Sequence, residues 1–339
     1  MRVVFLTPNV GEEGSFYEIF SDCLGVAARQ LGIDLEVVGG TKQRAPMVAQ
    51  GREILDSPSR PDYLLLVNYM NVGQDLLPLS ADAGVGTFVV VEGMGRDERI
   101  ASTDQGPRKG GYMGEIVPDD AEAGHMLAEI LTAGARERGL ADGSGKIQVG
   151  ILAGEHTHAA NARFRGWMQV KKQHDDIVQA GFQYGSWEEG AGRSAAALLL
   201  QTVPGMSVIW CANDAMALGA RAAATEAGRR PGEDILIGGV DLMDRALDDV
   251  AEGTLEVSIG GHLIDGVRAL ILLHDHHEDR DLEPATRTTH LVAVRKDAAG
   301  RYLEFMKGRA WRNADFTRFS RRTNPSASAD DRTWQSLRS

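Results

Sequence analysis

The residues best suited to hold a small polar molecule are carboxylates, amides and aromatic rings standing where apolar runs end. Val208-Ile209-Trp210-Cys211 is an apolar run of strand length, followed by Ala212-Asn213-Asp214 and then by Ala215-Met216-Ala217-Leu218, all strong helix formers. A strand therefore delivers an amide and a carboxylate to the start of a helix. Asp214 stands at the expected N-cap, where it caps the helix, touches a ligand, or does both. Asn68 follows Leu64-Leu65-Leu66-Val67, and Glu92 follows Phe88-Val89-Val90-Val91. A carboxylate at the end of a buried strand needs partners, so Glu92 either accepts from a ligand or pairs with a neighbouring base. Asp241 closes the run Ile235–Val240, where it touches a ligand or only orients the next turn. Phe16 and Tyr17 follow a Gly-containing loop at a helix start, and serve as a stacking surface or as ordinary packing. A polyol presents apolar ring faces and a girdle of hydroxyls; aromatic faces suit the first, and carboxylates and arginines suit the second.

These groups are expected to bind rather than to catalyse. The sequence has no Gly-x-Ser-x-Gly elbow, no Gly-x4-Gly-Lys phosphate loop and no dinucleotide fingerprint. His156-x-His158 and His274-Asp275-His276-His277 are read without a metal. The second ends an apolar helix, where imidazoles suit the dipole and neighbouring positions point apart. Cys23 and Cys211 have no metal-type spacing and no reason to pair. No cofactor and no metal are expected.

The elements that must position these groups alternate. Strand-like runs are Val3–Leu6, Leu35–Val38, Tyr63–Val67, Thr87–Val91, Gln148–Leu152, Val208–Cys211 and Ile235–Val240. Helical patterns span Phe16–Leu31, Ala121–Arg138, Ala195–Gln201, Ala215–Ala227 and Leu263–Leu273. Asp119 and Asp120 supply the cap and a first-turn carboxylate of the second helix. Strand-helix alternation predicts an α/β fold with parallel sheets, and in open sheets of that kind small ligands bind at the carboxyl edge. The order runs twice, separated by a polar, Gly-rich stretch, Asp97–Gly114. Two doubly wound lobes, with a late return of the chain to the first, are therefore expected. The first lobe takes 1–116 plus about 260–290, and the second takes 117–259 plus about 291–319. Residues 320–339 read as a polar, irregular tail, with Trp334 and Leu337 available to dock it.

A chain of 339 residues is long enough for two cores. A formal net charge of −12 argues against nucleic acid as the main partner. No apolar run is long enough to span a membrane.

Several segments together resemble the type I periplasmic solute-binding proteins, particularly the sugar-binding branch of bacterial ABC importers, whose fold lactose-repressor-type effector domains share. Thr7-Pro8-Asn9 with Ser15-Phe16-Tyr17 is similar to the opening strand and aromatic pair. Val117-Pro118-Asp119-Asp120 resembles the first crossing between lobes, and Arg163-Phe164-Arg165-Gly166 a helix start in the second lobe. Asn213–Ala220 is the most specific match, and Gly239-Val240-Asp241 resembles the closing strand end. The likeness covers roughly Val3 to Asp315, and it implies two doubly wound parallel-sheet lobes joined by a multi-strand hinge.

It implies ligand contacts from Asn9, Phe16, Tyr17, Asn68, Glu92, Arg163, Trp187, Asn213, Asp214, Asp241 and His262. Arg163 would contact sugar hydroxyls, and Arg165 would form a structural ion pair. Trp187 would stack on the ligand from the second lobe, unless it is a packed surface residue. His262 would donate or accept where the chain crosses back, unless it is a hinge residue bonded to backbone. One departure matters: the Asp-Arg pair usual after the fourth strand of ribose binders is replaced by Glu92-Gly93, so a ribose assignment is not expected. The first loop, Asn9–Gly14, is also longer and carries Glu12 and Glu13.

The expected function is capture of a small sugar or polyol by hinge closure, as a monomer, for the membrane permease of an ABC importer. A receptor for a sugar-like or autoinducer diol feeding a sensor kinase is the alternative. So is a regulatory effector domain, although no helix-turn-helix precedes the first strand. A periplasmic location is expected, and with it removal of a signal peptide that this chain does not carry. Arg163→Ala is expected to weaken binding while leaving the fold intact.

Overall fold

The alternating runs fold into two α/β units, seen in a computed structural model that describes residues 1–9, 14–40, 42–95, 98, 110–277 and 286–327. Unit 1 holds Met1–Pro118, His262–Thr289 and the segment from Trp311; unit 2 holds Asp119–Gly261 and His290–Ala310.

Unit 1 is built on β1 (Arg2–Thr7), β2 (Asp34–Gly39), β3 (Tyr63–Leu66), β4 (Gly86–Val90), β5 (Gly111–Pro118) and β11 (Thr286–Thr289). Their order across the sheet is β11-β5-β4-β3-β1-β2, and every pairing is parallel. Unit 2 uses β6 (Ile147–Ala153), β7 (Ile177–Tyr184), β8 (Val208–Cys211), β9 (Leu236–Val240), β10 (Val257–Gly260) and β12 (Val292–Val294). Their order is β12-β10-β9-β8-β6-β7, parallel except for the antiparallel β10–β12 edge. Parallel strands need crossover helices, which cover both faces of the sheet. Accordingly β3, β4, β8, β9 and β10 are buried along their whole length.

In each sheet the chain steps first to one side and then to the other. Unit 1 reverses between β1 and β3, and unit 2 between β6 and β8. The carboxyl edge at such a switch point opens a crevice, because the two neighbouring crossovers diverge there. Asn9 and Asn68 follow β1 and β3; Gly154 and Asn213 follow β6 and β8.

Helix Phe16–Leu31 shows how local sequence sets the elements. Ser15 Oγ accepts from Glu18 N, Gly32 ends the helix at φ 67°, and Ile19, Phe20, Cys23, Leu24, Ala27 and Leu31 form the buried stripe. In unit 2, helices Asp120–Glu137 and His158–Gln173 cross on two glycines. A Cβ on Gly124 would lie 1.9 Å from the Arg163 carbonyl oxygen, and one on Gly166 would lie 2.1 Å from that of Ala121. Only glycine permits that approach, which brings Asp120 within reach of Arg163.

Several expectations need correction. Asn213, not Asp214, caps helix Asp214–Glu226: its Oδ1 accepts from Met216 N at 3.0 Å, and Asp214 is the first helical residue. The stretch 97–114 ends in strand β5 from Gly111, while 96–97 and 99–109 lie outside the described residues. Strands β11 and β12 and helix Lys296–Lys307 carry too short or too polar a pattern to stand out in the sequence.

The segment 311–319, assigned to the second lobe, packs instead on unit 1. Trp311 is fully buried, Gln30 donates to Ala314 O and accepts from Phe316 N, both at 2.8 Å, and Arg312 pairs with Asp22. The expected irregular tail also begins as packed structure. Ser320 is fully buried and donates to Asp275 at 2.5 Å, and Arg321 N donates to the same carboxylate. Trp334 and Leu337 lie outside the described residues.

Candidate functional site

The residues picked from the sequence gather into two groups, one at the carboxyl edge of each sheet. In unit 2 the centre is Arg163, buried on helix His158–Gln173. Its Nε donates to Asp120 Oδ1 at 2.8 Å, and its Nη1 donates to Ala212 O at 2.6 Å, with Asp241 Oδ1 at 3.6 Å. Nη2 donates to no described residue, which leaves two N–H groups of the guanidinium for a ligand. Burial works against the charge of Arg163, but Asp120 and then Asp241 and Asp214 outweigh it, so its pKa is raised.

Trp187 lies beside this guanidinium, whose Cζ is 5.7 Å from the indole centroid. Asn213 spends its amide on both sides, accepting from Met216 N and donating to Trp187 O at 3.3 Å. Asp241 follows β9 in the left-handed region at φ 131°, and Leu242 comes next at 58°. Strained backbone of this kind persists where surrounding contacts enforce it. Here the enforcing groups are Asp214 and Ser258. Ser258 Oγ accepts from Leu242 N at 3.1 Å and donates to the Asp214 carboxylate at 2.7 Å, which also accepts from Met243 N at 2.9 Å.

Asp214 has no exposed area, so of its two readings the structure supports the internal one: it pins the turn carrying Asp241. Burial first, and the charge of Asp241 second, push its pKa up to about 7. Cys211 below it is also pushed well up, by burial and then by Asp214, which makes its thiol inert.

In unit 1 Phe16 and His262 stack, with centroids 4.8 Å apart and planes 27° apart, and Tyr17 meets Phe16 edge-on at 5.4 Å. Phe16 and Tyr17 are half-buried, whereas His262 is buried. Asn68 forms a tight turn, with Tyr69 N donating to Val67 O at 2.8 Å across it. Its side chain is fully buried, accepting from Gly73 N at 2.8 Å and donating to Gly93 O and Glu98. That makes Asn68 a fastening for the loops after β3 and β4. Glu92 follows Val91, a β-branched residue held at φ 67°, and is itself buried. Asn9 is half-buried at the end of β1; Glu12 and Glu13 lie outside the described residues.

Asp120, the partner of Arg163, is the residue of this cluster that sequence reasoning missed, taken for part of a cap. Asp119 alone is the cap, accepting from Glu122 N at 2.9 Å. Two consecutive acids at one helix start were the available clue, because a single side chain suffices there. Arg165 is exposed and forms no ion pair among the described residues, contrary to expectation.

His156 is exposed against Tyr184. His274 and Asp275 fasten Ser320 and Arg322. Among the described residues Asp119, Glu122 and His290 bring ligand atoms within 4.8 Å of one another. Asp119 is occupied as a cap there, and the positive end of a helix dipole disfavours a cation.

Known proteins resemble this chain in sequence and in fold. A family model described as a periplasmic binding protein domain matches residues 99–265. A periplasmic sugar-binding protein from Pseudomonas fluorescens is 30% identical, with TM-score 0.86 over 96% of both chains. The chain belongs to the type I periplasmic sugar-binding protein family. A D-apiose import binding protein of Actinobacillus succinogenes is 26% identical over 74% of this chain and 73% of its own. The binding component of the arabinose ABC transporter from Shewanella sp. ANA-3, bound to L-arabinofuranose, is 21% identical and has TM-score 0.78 over 91% of this chain and 97% of its own, a likeness of fold. In this periplasmic sugar-binding protein the candidate polar groups stand after strand ends in both sheets. It also carries Glu92-Gly93 at the end of β4, so unit 1 offers no arginine at that place.

Proposed function

We propose that this protein is the solute-binding component of an ABC importer, capturing a small sugar or polyol in the periplasm as a monomer. A ligand that touches both units is held only when they close on it, so binding shifts the hinge equilibrium toward the form a membrane permease recognises. Arg163 Nη2 and Asp241 of unit 2 take the hydroxyls, and Trp187 lies against an apolar sugar face. Phe16 and Tyr17 supply the aromatic surface of unit 1, with His262, Asn9 and Glu92 as polar neighbours. Asn213, Asn68, Asp120 and Asp214 hold these groups in place.

The observation that carries the reading is the Arg163 guanidinium, held on one side by Asp120 and the Ala212 carbonyl, with Nη2 left over beside an indole. The family and the import role of the apiose relative support it. A thermal-shift screen against pentoses, hexoses, furanose-forming sugars and inositols tests it, since a ligand of the native state raises the melting point. A hit confirmed by calorimetry is the expected outcome. A protein whose melting point no carbohydrate moves would rule the sugar reading out.

A further inference from the structure

Trp187 does not sit in a conformation its own chain prefers. Ser186 and Trp187 are consecutive left-handed residues, with φ of 50° and 62°, a region that persists only where neighbours enforce it. Asn213 holds the carbonyl of Trp187, and the ring itself rests on Gly154, at the end of β6. A Cβ on Gly154 would lie 2.1 Å from Cζ2 of the indole and 2.4 Å from both Cε2 and Cη2. A point so close to three consecutive ring atoms lies over the ring face. Beyond the rim it would be much farther from the two flanking atoms than from the middle one. The six-membered ring of Trp187 therefore lies flat on bare backbone. Gly154 is not among the residues of positive φ, so its backbone suits alanine and only the added volume is excluded.

We propose that Gly154 is a positioning residue for ligand binding. By lacking a side chain it seats the Trp187 indole against the end of β6, and so sets how far the aromatic wall of unit 2 stands out and how large a sugar ring fits against it. The inference rests on Trp187 being a ligand-contacting surface.

The test is a double-mutant cycle with a spectroscopic arm. Gly154→Ala is made in the wild-type chain and in a Trp187→Ala background. Protein labelled with 5-fluorotryptophan is followed by fluorine NMR, the Trp187 resonance being assigned from its loss in Trp187→Phe. In the wild-type background Gly154→Ala is expected to lower the melting midpoint by roughly 3–10 °C, the scale of overpacking by one methyl group. With the ring gone the same change is expected to be neutral or slightly stabilising, as Gly to Ala is at a compatible site. The Trp187 resonance is expected to move more than any other tryptophan resonance, and affinity for a sugar bound by the wild type to fall at least tenfold.

Equal melting losses in both backgrounds, or an unmoved Trp187 resonance, would overturn the seating. A displaced ring with unchanged sugar affinity would overturn its role in binding. A wild-type protein that binds no sugar is a failure of the functional reading, visible before any variant is made, and the melting cycle still decides the seating.

Discussion

Asp214 offers a quantitative test of how the site is built. The carboxyl has no exposed area, and burial, followed by the charge of Asp241, raises its pKa from 3.8 to about 7. Met243 N, the Ser258 hydroxyl and Arg163 pull the other way without cancelling the rise. An acid raised on folding binds a proton in the native state that the unfolded chain has already lost. Its contribution is fully present below the unfolded value of 3.8, erodes as pH rises, and is gone above the folded value near 7.

Each pH unit inside that window changes stability by about 1.36 kcal/mol, so the interval from pH 5 to pH 7 removes roughly 2 × 1.36, or about 3 kcal/mol. Asp214→Asn abolishes the titration while the amide oxygen still accepts from Met243 N and Ser258 Oγ. Urea unfolding at pH 5 and pH 8 is the assay. The wild type is expected to lose about 3 kcal/mol more than the variant between the two, and the variant to be the more stable at pH 8. Other titrating groups are common to both proteins and drop out of the difference. Parallel losses in the two proteins would show that Asp214 is not the buried acid this geometry makes it, and the account of the Asp241 turn would fall with it.

Three further outcomes are expected. Arg163→Ala leaves Asp120 and Asp241 without their guanidinium, and should destabilise unit 2 by roughly 3–5 kcal/mol in urea unfolding besides abolishing sugar binding; an unshifted midpoint would mean that the charge network carries no weight. Trp311→Ala removes a fully buried ring from the segment docked on unit 1 and should lower stability by roughly 3–5 kcal/mol; a small effect would show that the segment is not part of the core of unit 1. Phe16→Ala removes a half-buried ring stacked on His262 and should weaken sugar binding about tenfold by calorimetry, an aromatic contact being worth roughly 1 kcal/mol or more beyond its burial; an unchanged Kd would take Phe16 out of the site.

The fold was legible because parallel sheets write themselves plainly: a strand buried on both faces is an unbroken apolar run, and the polar residue after it marks the carboxyl edge. That rule alone singled out Asn68, Glu92, Asn213 and Asp241 as candidates. What the rule leaves open is the direction in which each side chain turns. Asp214 and Asn68 stand at strand ends, yet both are spent inside their own unit, on Ser258 and Met243 in one case and on Gly73, Gly93 and Glu98 in the other. The expectation that Arg163→Ala spares the fold is replaced by a predicted loss of stability for the same reason. A sequence shows an arginine, but its enclosure by Asp120, Ala212 and Asp241 exists only after two helices cross on Gly124 and Gly166.

In the proposed site, that enclosure gives a reason for an arginine meant for the ligand to be so deeply buried. A guanidinium free in solvent would have to give up water and rotamer freedom each time it gripped a hydroxyl. Arg163 has given up both on folding, with Asp120 fixing Nε and Ala212 fixing Nη1, so its remaining N–H groups are already aimed. The same economy places the strained residues Ser186, Trp187, Asp241 and Leu242 around it. Their backbone is held by Asn213, Asp214 and Ser258, none of which needs to touch the ligand. A site arranged in this way separates the groups that hold from the groups that bind. Substitutions in the first set should then move stability and affinity together, while substitutions in the second should move affinity alone, with Arg163, which belongs to both, moving both the most.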